Sequence, residues 1–148
     1  DAVDRELLPR NPFAKLTESV GHDKARDAFV TVEDARKVLE ACPDAEWRAL
    51  LALARWGALR IPSEIIELTW ADVDWERGRL RVRSPKTEHH TGRGERIIPL
   101  SHQLRQALEE LWDATPEGTV YVINRYRKST VNLRTQLQKI IRRAGVTP

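Results

Sequence analysis

Methionine is absent from the sequence, and cysteine occurs once, as Cys42. A lone cysteine cannot close an internal disulfide, which fits a chain kept in a reducing cytoplasm. Cys42 stands next to Pro43 among helix-patterned residues, where a plain structural thiol is expected rather than a nucleophile. No apolar run reaches the ~18 residues that span a bilayer, so no membrane segment is expected. A secretory leader is likewise not expected. Glycine-rich phosphate loops of the Walker or dinucleotide type are missing, as are zinc-finger spacings, internal repeats and low-complexity tracts. The adjacent pair His89-His90 does not make a metal site, because neighbouring side chains in an extended loop point apart and no Cys, His or Asp partner stands at ligand spacing.

What remains is a 148-residue chain, 41% hydrophobic and 32% charged, enough for one globular domain with a real core. The net charge of +3 and pI of about 9.3 lean mildly toward a polyanionic partner. Distribution says more than the total: Arg and Lys gather at 77–96, 125–128 and 139–143. A sequence without methionine that opens on Asp1 and stops at Thr147-Pro148, just past a helical pattern, is expected to be a piece of a longer polypeptide.

Residues 1–20 lack sustained periodicity, and Asn11-Pro12-Phe13 reads as an extended turn, so a linker or ordinary flexible terminus is expected there. Thr31 can cap a helix whose stripe is Val32, Ala35, Val38 and Leu39, ended by Pro43. Asp44 can cap a second helix from Ala45 to Trp56, with Gly57 as a left-handed stop. Val73 to Trp75 and Arg79 to Arg83 read as antiparallel strands around the turn Glu76-Arg77-Gly78, with Leu80 and Val82 on one face and three arginines on the other. That arginine face is either solvated or turned toward phosphate. An irregular polar stretch from Ser84 to Glu95 makes a long hairpin tip before the strand Arg96 to Leu100. Ser101 caps a helix from His102 to Asp113, Thr119 to Ile123 reads as a short buried strand, and Ser129 or Thr130 caps a last helix from Val131 to Ala144. The expected fold is α+β, mainly α: helices packed around a small three-stranded antiparallel sheet.

The stretch around which the chain is organised is residues 56–75, WGALRIPSEIIELTWADVDW. Arg60 sits in an otherwise apolar run, followed by a helix-like segment from Ser63 to Leu68 and by Asp72 and Asp74. A buried arginine is costly unless it is paired or has a task. By itself it could simply bind carbonyls at a helix end. The segment, however, resembles the first box of the tyrosine recombinases, or phage integrases, G-L-R-x-S-E followed by a hydrophobic pair, Leu, Trp and D-[VI]-D. The matching residues are Gly57, Leu59, Arg60, Ser63, Glu64, Ile65, Leu68, Trp70, Asp72 and Asp74. Ala58 is an extra residue between Gly57 and Leu59, and Glu64 falls four residues past Arg60 where the family pattern has three. The second hairpin is also similar to the family's, with Lys86-Thr87 before the loop and Arg96 to Leu100 after it.

This resemblance implies site-specific DNA recombination without metal or cofactor. A tyrosine attacks a backbone phosphodiester and becomes linked to the 3′-phosphate. The role carried over to Arg60 is stabilisation of the transition state on the non-bridging oxygens, and that carried over to Lys86 is protonation of the leaving 5′-oxygen. Glu64 would support the site, and Arg81, Arg83, Thr87, His89, His90 and Arg93 would contact DNA. The family's H-x-x-R box and its nucleophilic tyrosine are not expected in this chain: His102 and Arg105 fit the box spacing only by coincidence, because the strand and long helix expected before the box come after them, and Tyr121 and Tyr126 come too early in the order. Residues 1–20 would then be the linker from an upstream core-binding domain, and 21–148 the N-terminal part of a catalytic domain, inactive alone. Partners implied are double-stranded DNA and further copies of the full-length protein, as a tetramer on DNA. The setting implied is a bacterial or phage-encoded protein at the nucleoid in the cytoplasm. A non-catalytic DNA-binding module with basic hairpins is the alternative.

Overall fold

The computed structural model describes residues 3, 5, 7–10, 29–84, 94–127 and 132–146. The expected linker lies mostly, and the hairpin tip at 85–93 wholly, outside them. Among the described residues, four α-helices accompany one three-stranded antiparallel sheet, as the sequence led us to expect.

Each helix begins at a small polar residue whose side chain takes an otherwise unbonded amide. Thr31 accepts from the Asp34 amide at the head of α1 (Val32–Glu40), and Asp44 from the Trp47 amide at the head of α2 (Ala45–Arg55). α2 is central: it packs against α1 and the later helix α3, and buries Trp47, Ala49, Leu50, Ala52 and Leu53. Cys42, between α1 and α2, is buried and donates to the Val38 carbonyl at 3.4 Å; burial pushes its thiol up to about 11, as befits a structural cysteine.

The sheet order is β1 (Val73–Asp74), β2 (Arg79–Arg83), β3 (Glu95–Pro99). Leu80 pairs with Ile98 and Val82 with Arg96, so these four side chains share the inner face. Arg79, Arg81 and Arg83 stand on the outer face opposite Pro99, Ile97 and Glu95. Ser101 caps α3 (His102–Asp113), which buries Leu104, Ala107, Leu108 and Leu111. α4 (Leu133–Arg143) is capped by Asn132, whose side chain accepts from the Thr135 amide; the expected caps Ser129 and Thr130 lie outside the described residues. It buries Ile140 and lies against α1.

Three local expectations fail. Residues 61–67 form successive turns, not a helix: only Glu64 and Ile66 make i to i−4 amide bonds, while Ile65 and Leu68 reach back three residues. Thr119 to Ile123 is not a strand but a single bridge, Thr69 with Tyr121, flanked by amide bonds from Trp70 to Val120 and from Val122 to Leu68. Gly57 is not the left-handed residue after α2; Ala58 is, with φ 51°. Gly57 is required for space instead, because a Cβ there would lie 2.6 Å from the Leu53 carbonyl oxygen and 2.7 Å from Leu59 Cδ1.

Gly57→Ala should therefore cost about 2–3 kcal/mol in a urea titration, because backbone has to move. Gly118→Ala, at φ +81° but with open space around its Cβ, should cost only about 1 kcal/mol. Equal costs would contradict a packing role for Gly57.

Candidate active site

The corner after α2 sets the site. The Leu59 amide bonds back to the Leu53 carbonyl at 3.1 Å, and Leu59 is buried. The left-handed turn at Ala58 then delivers Arg60 to the surface, with its side chain 56% exposed. The arginine expected to be buried among leucines thus has only its backbone in the apolar corner. Less desolvation has to be offset than for a buried arginine, and the guanidinium can meet a ligand.

Four residues on, the Glu64 side chain is 1% exposed. Its carboxylate gathers donors from three parts of the chain. Oε2 accepts from the Arg60 amide at 2.9 Å and from Arg96 Nη2 at 2.7 Å. Oε1 accepts from Ser84 Oγ at 2.6 Å and Arg96 Nη1 at 2.8 Å, with Arg60 Nη1 further off at 3.4 Å. Arg96 Nη1 also donates to Ser84 Oγ at 2.7 Å, and Arg96 Nη2 to the Ala58 carbonyl at 3.2 Å. The Arg96 hydrogen bonds hold the Glu64 carboxyl down at about 2 against its burial, assisted by Ser84 and the Arg60 amide. Two guanidiniums and one carboxylate leave the cluster with one net positive charge.

Ser84 and Gly94 border residues 85–93 in the sequence, and the Ser84 amide donates to the Gly94 carbonyl at 2.7 Å. Ser84 and Arg60 are thereby held by the same carboxylate. Lys86, Thr87, His89, His90 and Arg93 lie outside the described residues. Sequence reasoning had placed Arg96 only in a strand and had given Ser84 no role. Strand alternation could have found Arg96, because Ile98 and Leu100 share its face; the neighbouring Ile97-Ile98 pair hides that period.

A second buried acid, Asp72, takes the outer-face arginines. Its Oδ1 accepts from Arg81 Nε at 3.0 Å and from Arg83 Nη2 at 3.4 Å, while Oδ2 accepts from the Thr69 amide and hydroxyl. Burial alone would raise the Asp72 carboxyl; the bonds from Thr69 and Arg81 outweigh it and lower it. Arg81 and Arg83 remain 46% and 45% exposed, neither fully solvated nor fully engaged. Among the described residues, no group of three or more His, Cys, Asp or Glu side chains could hold a metal ion. No described helix is long and apolar enough to cross a membrane.

A family model described as "Phage integrase family" matches residues 28–148. The chain is 31% identical over 105 residues to tyrosine recombinase XerC of Thermodesulfovibrio yellowstonii, a match covering 68% of the chain and 32% of that protein. It is 30% identical over 130 residues to tyrosine recombinase XerA of Thermococcus onnurineus, covering 83% of the chain and 44% of the relative. In fold it is similar to a crystal structure of XerA recombinase (TM-score 0.63, 19% identity, 82% of this chain and 44% of that one). It is also similar to a lambda integrase (75–356) dimer bound to a COC′ core site (TM-score 0.61, 19% identity, 99% of this chain and 54% of that one). The chain thus spans about a third to under half of the length of the curated relatives named here.

The Glu64 carboxyl has a folded value of about 2 against its usual 4.5, so its contribution to stability is fully present above about 4.5 and lost as pH falls toward 2. That share is about 3 kcal/mol. Urea titrations across this window should show the wild-type slope flattened in Glu64→Gln, which is itself less stable at neutral pH. An unchanged slope would mean that Glu64 does not carry the linkage.

Proposed function

The chain belongs to the phage integrase family, and from that we propose that it supplies part of the active site of a tyrosine-type, site-specific DNA recombinase. The observation that supports this most is the exposed Arg60 guanidinium, whose residue is anchored through its amide by a buried carboxylate that also binds Ser84, two residues before Lys86. Arg60 offers a planar fork of donors to the non-bridging oxygens of a phosphodiester, where charge accumulates in the transition state. A tyrosine from another part of the full polypeptide attacks phosphorus. The P–O5′ bond breaks, a 3′-phosphotyrosine forms, and Lys86 delivers a proton to the departing 5′-oxygen. Glu64 supports both groups. Arg81, Arg83, Thr87, His89, His90 and Arg93 contact the duplex, the first two with the donors that Asp72 leaves unused. Residues 1–20 link to an upstream DNA-binding domain, and 21–148 form the N-terminal part of the catalytic domain. The full-length protein acts as a tetramer on bacterial or phage DNA in the cytoplasm.

A duplex substrate nicked so that the cleaved strand diffuses away traps the covalent adduct. In the full-length protein, Arg60→Ala should lower adduct formation by about 10²–10³-fold, and Lys86→Ala by about 10²–10⁴-fold with its duplex affinity changed only a few-fold. The 148-residue chain alone should form no adduct. Unaltered cleavage by the Lys86 variant, with only weaker and more salt-sensitive binding, would favour a DNA-binding module without chemistry.

A further inference from the structure

We propose that Arg96 is a positioning residue: by occupying the Glu64 carboxylate it keeps the Arg60 guanidinium available to an anionic ligand. The proposal deepens the reading of Arg60 as the phosphate-binding group and rests on it. A carboxylate offers about four lone-pair positions. Four donors lie within 2.9 Å of Glu64: both Nη atoms of Arg96, the Ser84 hydroxyl and the Arg60 amide. The Arg60 guanidinium is the fifth, at 3.4 Å. It is left with that loose contact, on a side chain that is 56% exposed.

Arg96 does this as arginine specifically. Its fork meets both carboxylate oxygens at once, and Ser84, accepting from Nη1 while donating to Oε1, closes the triangle. A lysine carries the same charge but lacks the planar fork that aims one nitrogen at each oxygen while a second bond goes to Ser84 and to the Ala58 carbonyl. With the fork gone, a buried carboxylate stands under-compensated and draws in a neighbouring cation. That cation is Arg60, whose amide is already bonded to Oε2. Arg60 would then form the tight pair, and its donors would face inward.

Two measurements on the 148-residue chain test this. In isotope-labelled protein without DNA, exchange of the Arg60 guanidinium protons should slow by about tenfold in Arg96→Lys, as a loose contact becomes a charge-assisted bond. In Ser84→Ala, which removes one of the four short bonds without touching charge, exchange should slow by about threefold. Unchanged exchange in both variants overturns the proposal, and Ser84→Ala decides alone if Arg96→Lys does not fold. The second measurement is binding of a fluorescent mixed-sequence DNA duplex at low salt. Arg60→Ala should weaken wild-type binding by about tenfold but the Arg96→Lys protein by less than about twofold. An equal loss in both backgrounds overturns the proposal, because a merely structural Arg96 would leave Arg60 working. Slowed exchange with no effect of Arg60→Ala on wild-type binding would leave the positioning role standing and sink the phosphate-binding reading instead.

Discussion

An ionised carboxylate removed from water is disfavoured by several kcal/mol unless hydrogen-bonded cations surround it. Glu64 is in that position, and its needs shape the site. To satisfy it, the chain brings the corner after α2, the end of β2 and the start of β3 to one point. The exposed guanidinium of Arg60 is placed by this arrangement more than by its own single 3.4 Å contact with the carboxylate. A short arginine fork from a strand, a serine hydroxyl and a backbone amide together fix where the free cation stands.

The same device recurs. Glu46 on α2 accepts from the Asn124 and Arg125 amides and from the Arg125 side chain, fastening a segment 79 residues away. Asp72 gathers Arg81 and Arg83 onto the sheet edge. Glu46, Glu64 and Asp72 are the buried acids among the described residues, and each is met by arginine from another element. Such pairs add little net stability compared with apolar replacements, but breaking one leaves a stranded charge. They fix register and orientation more than they fix stability. Apolar packing, led by Trp47, Leu50 and Leu53 on α2, supplies the latter.

Regular elements were legible wherever local chemistry and packing agree. The caps Thr31, Asp44 and Ser101 each precede a helical stripe, and the helix expected over His102 to Asp113 forms over those residues. Leu80 and Val82 alternate with arginines and sort to the inner face as their period requires. Failures came where tertiary contacts decide. Ile65 and Leu68 have helical spacing and are buried, yet Pro62 and the bridge at Thr69 leave room only for turns. Val120 is apolar but exposed, so the run from Thr119 to Ile123 carries only two buried side chains, Val122 and Ile123. The exposure of Arg60 was invisible because it follows from the left-handed φ of Ala58, a residue whose type does not announce that conformation. Ser84 gave no signal at all: its importance comes from Glu64 and Arg96, 20 and 12 residues distant.

The outer face of the sheet has a consequence for how a polyanion would come to rest. Arg77, Arg79, Arg81 and Arg83 are accompanied by Asp72, Asp74 and Glu95, so four positive charges meet three negative ones. From a Debye length away that group attracts far less than its number of arginines suggests, whatever hydrogen bonds it offers on contact. The Arg60 cluster, two guanidiniums around one carboxylate, carries the same surplus with half as many arginines. The approach angle of a bound duplex would therefore follow the imbalance of charge rather than the density of arginines.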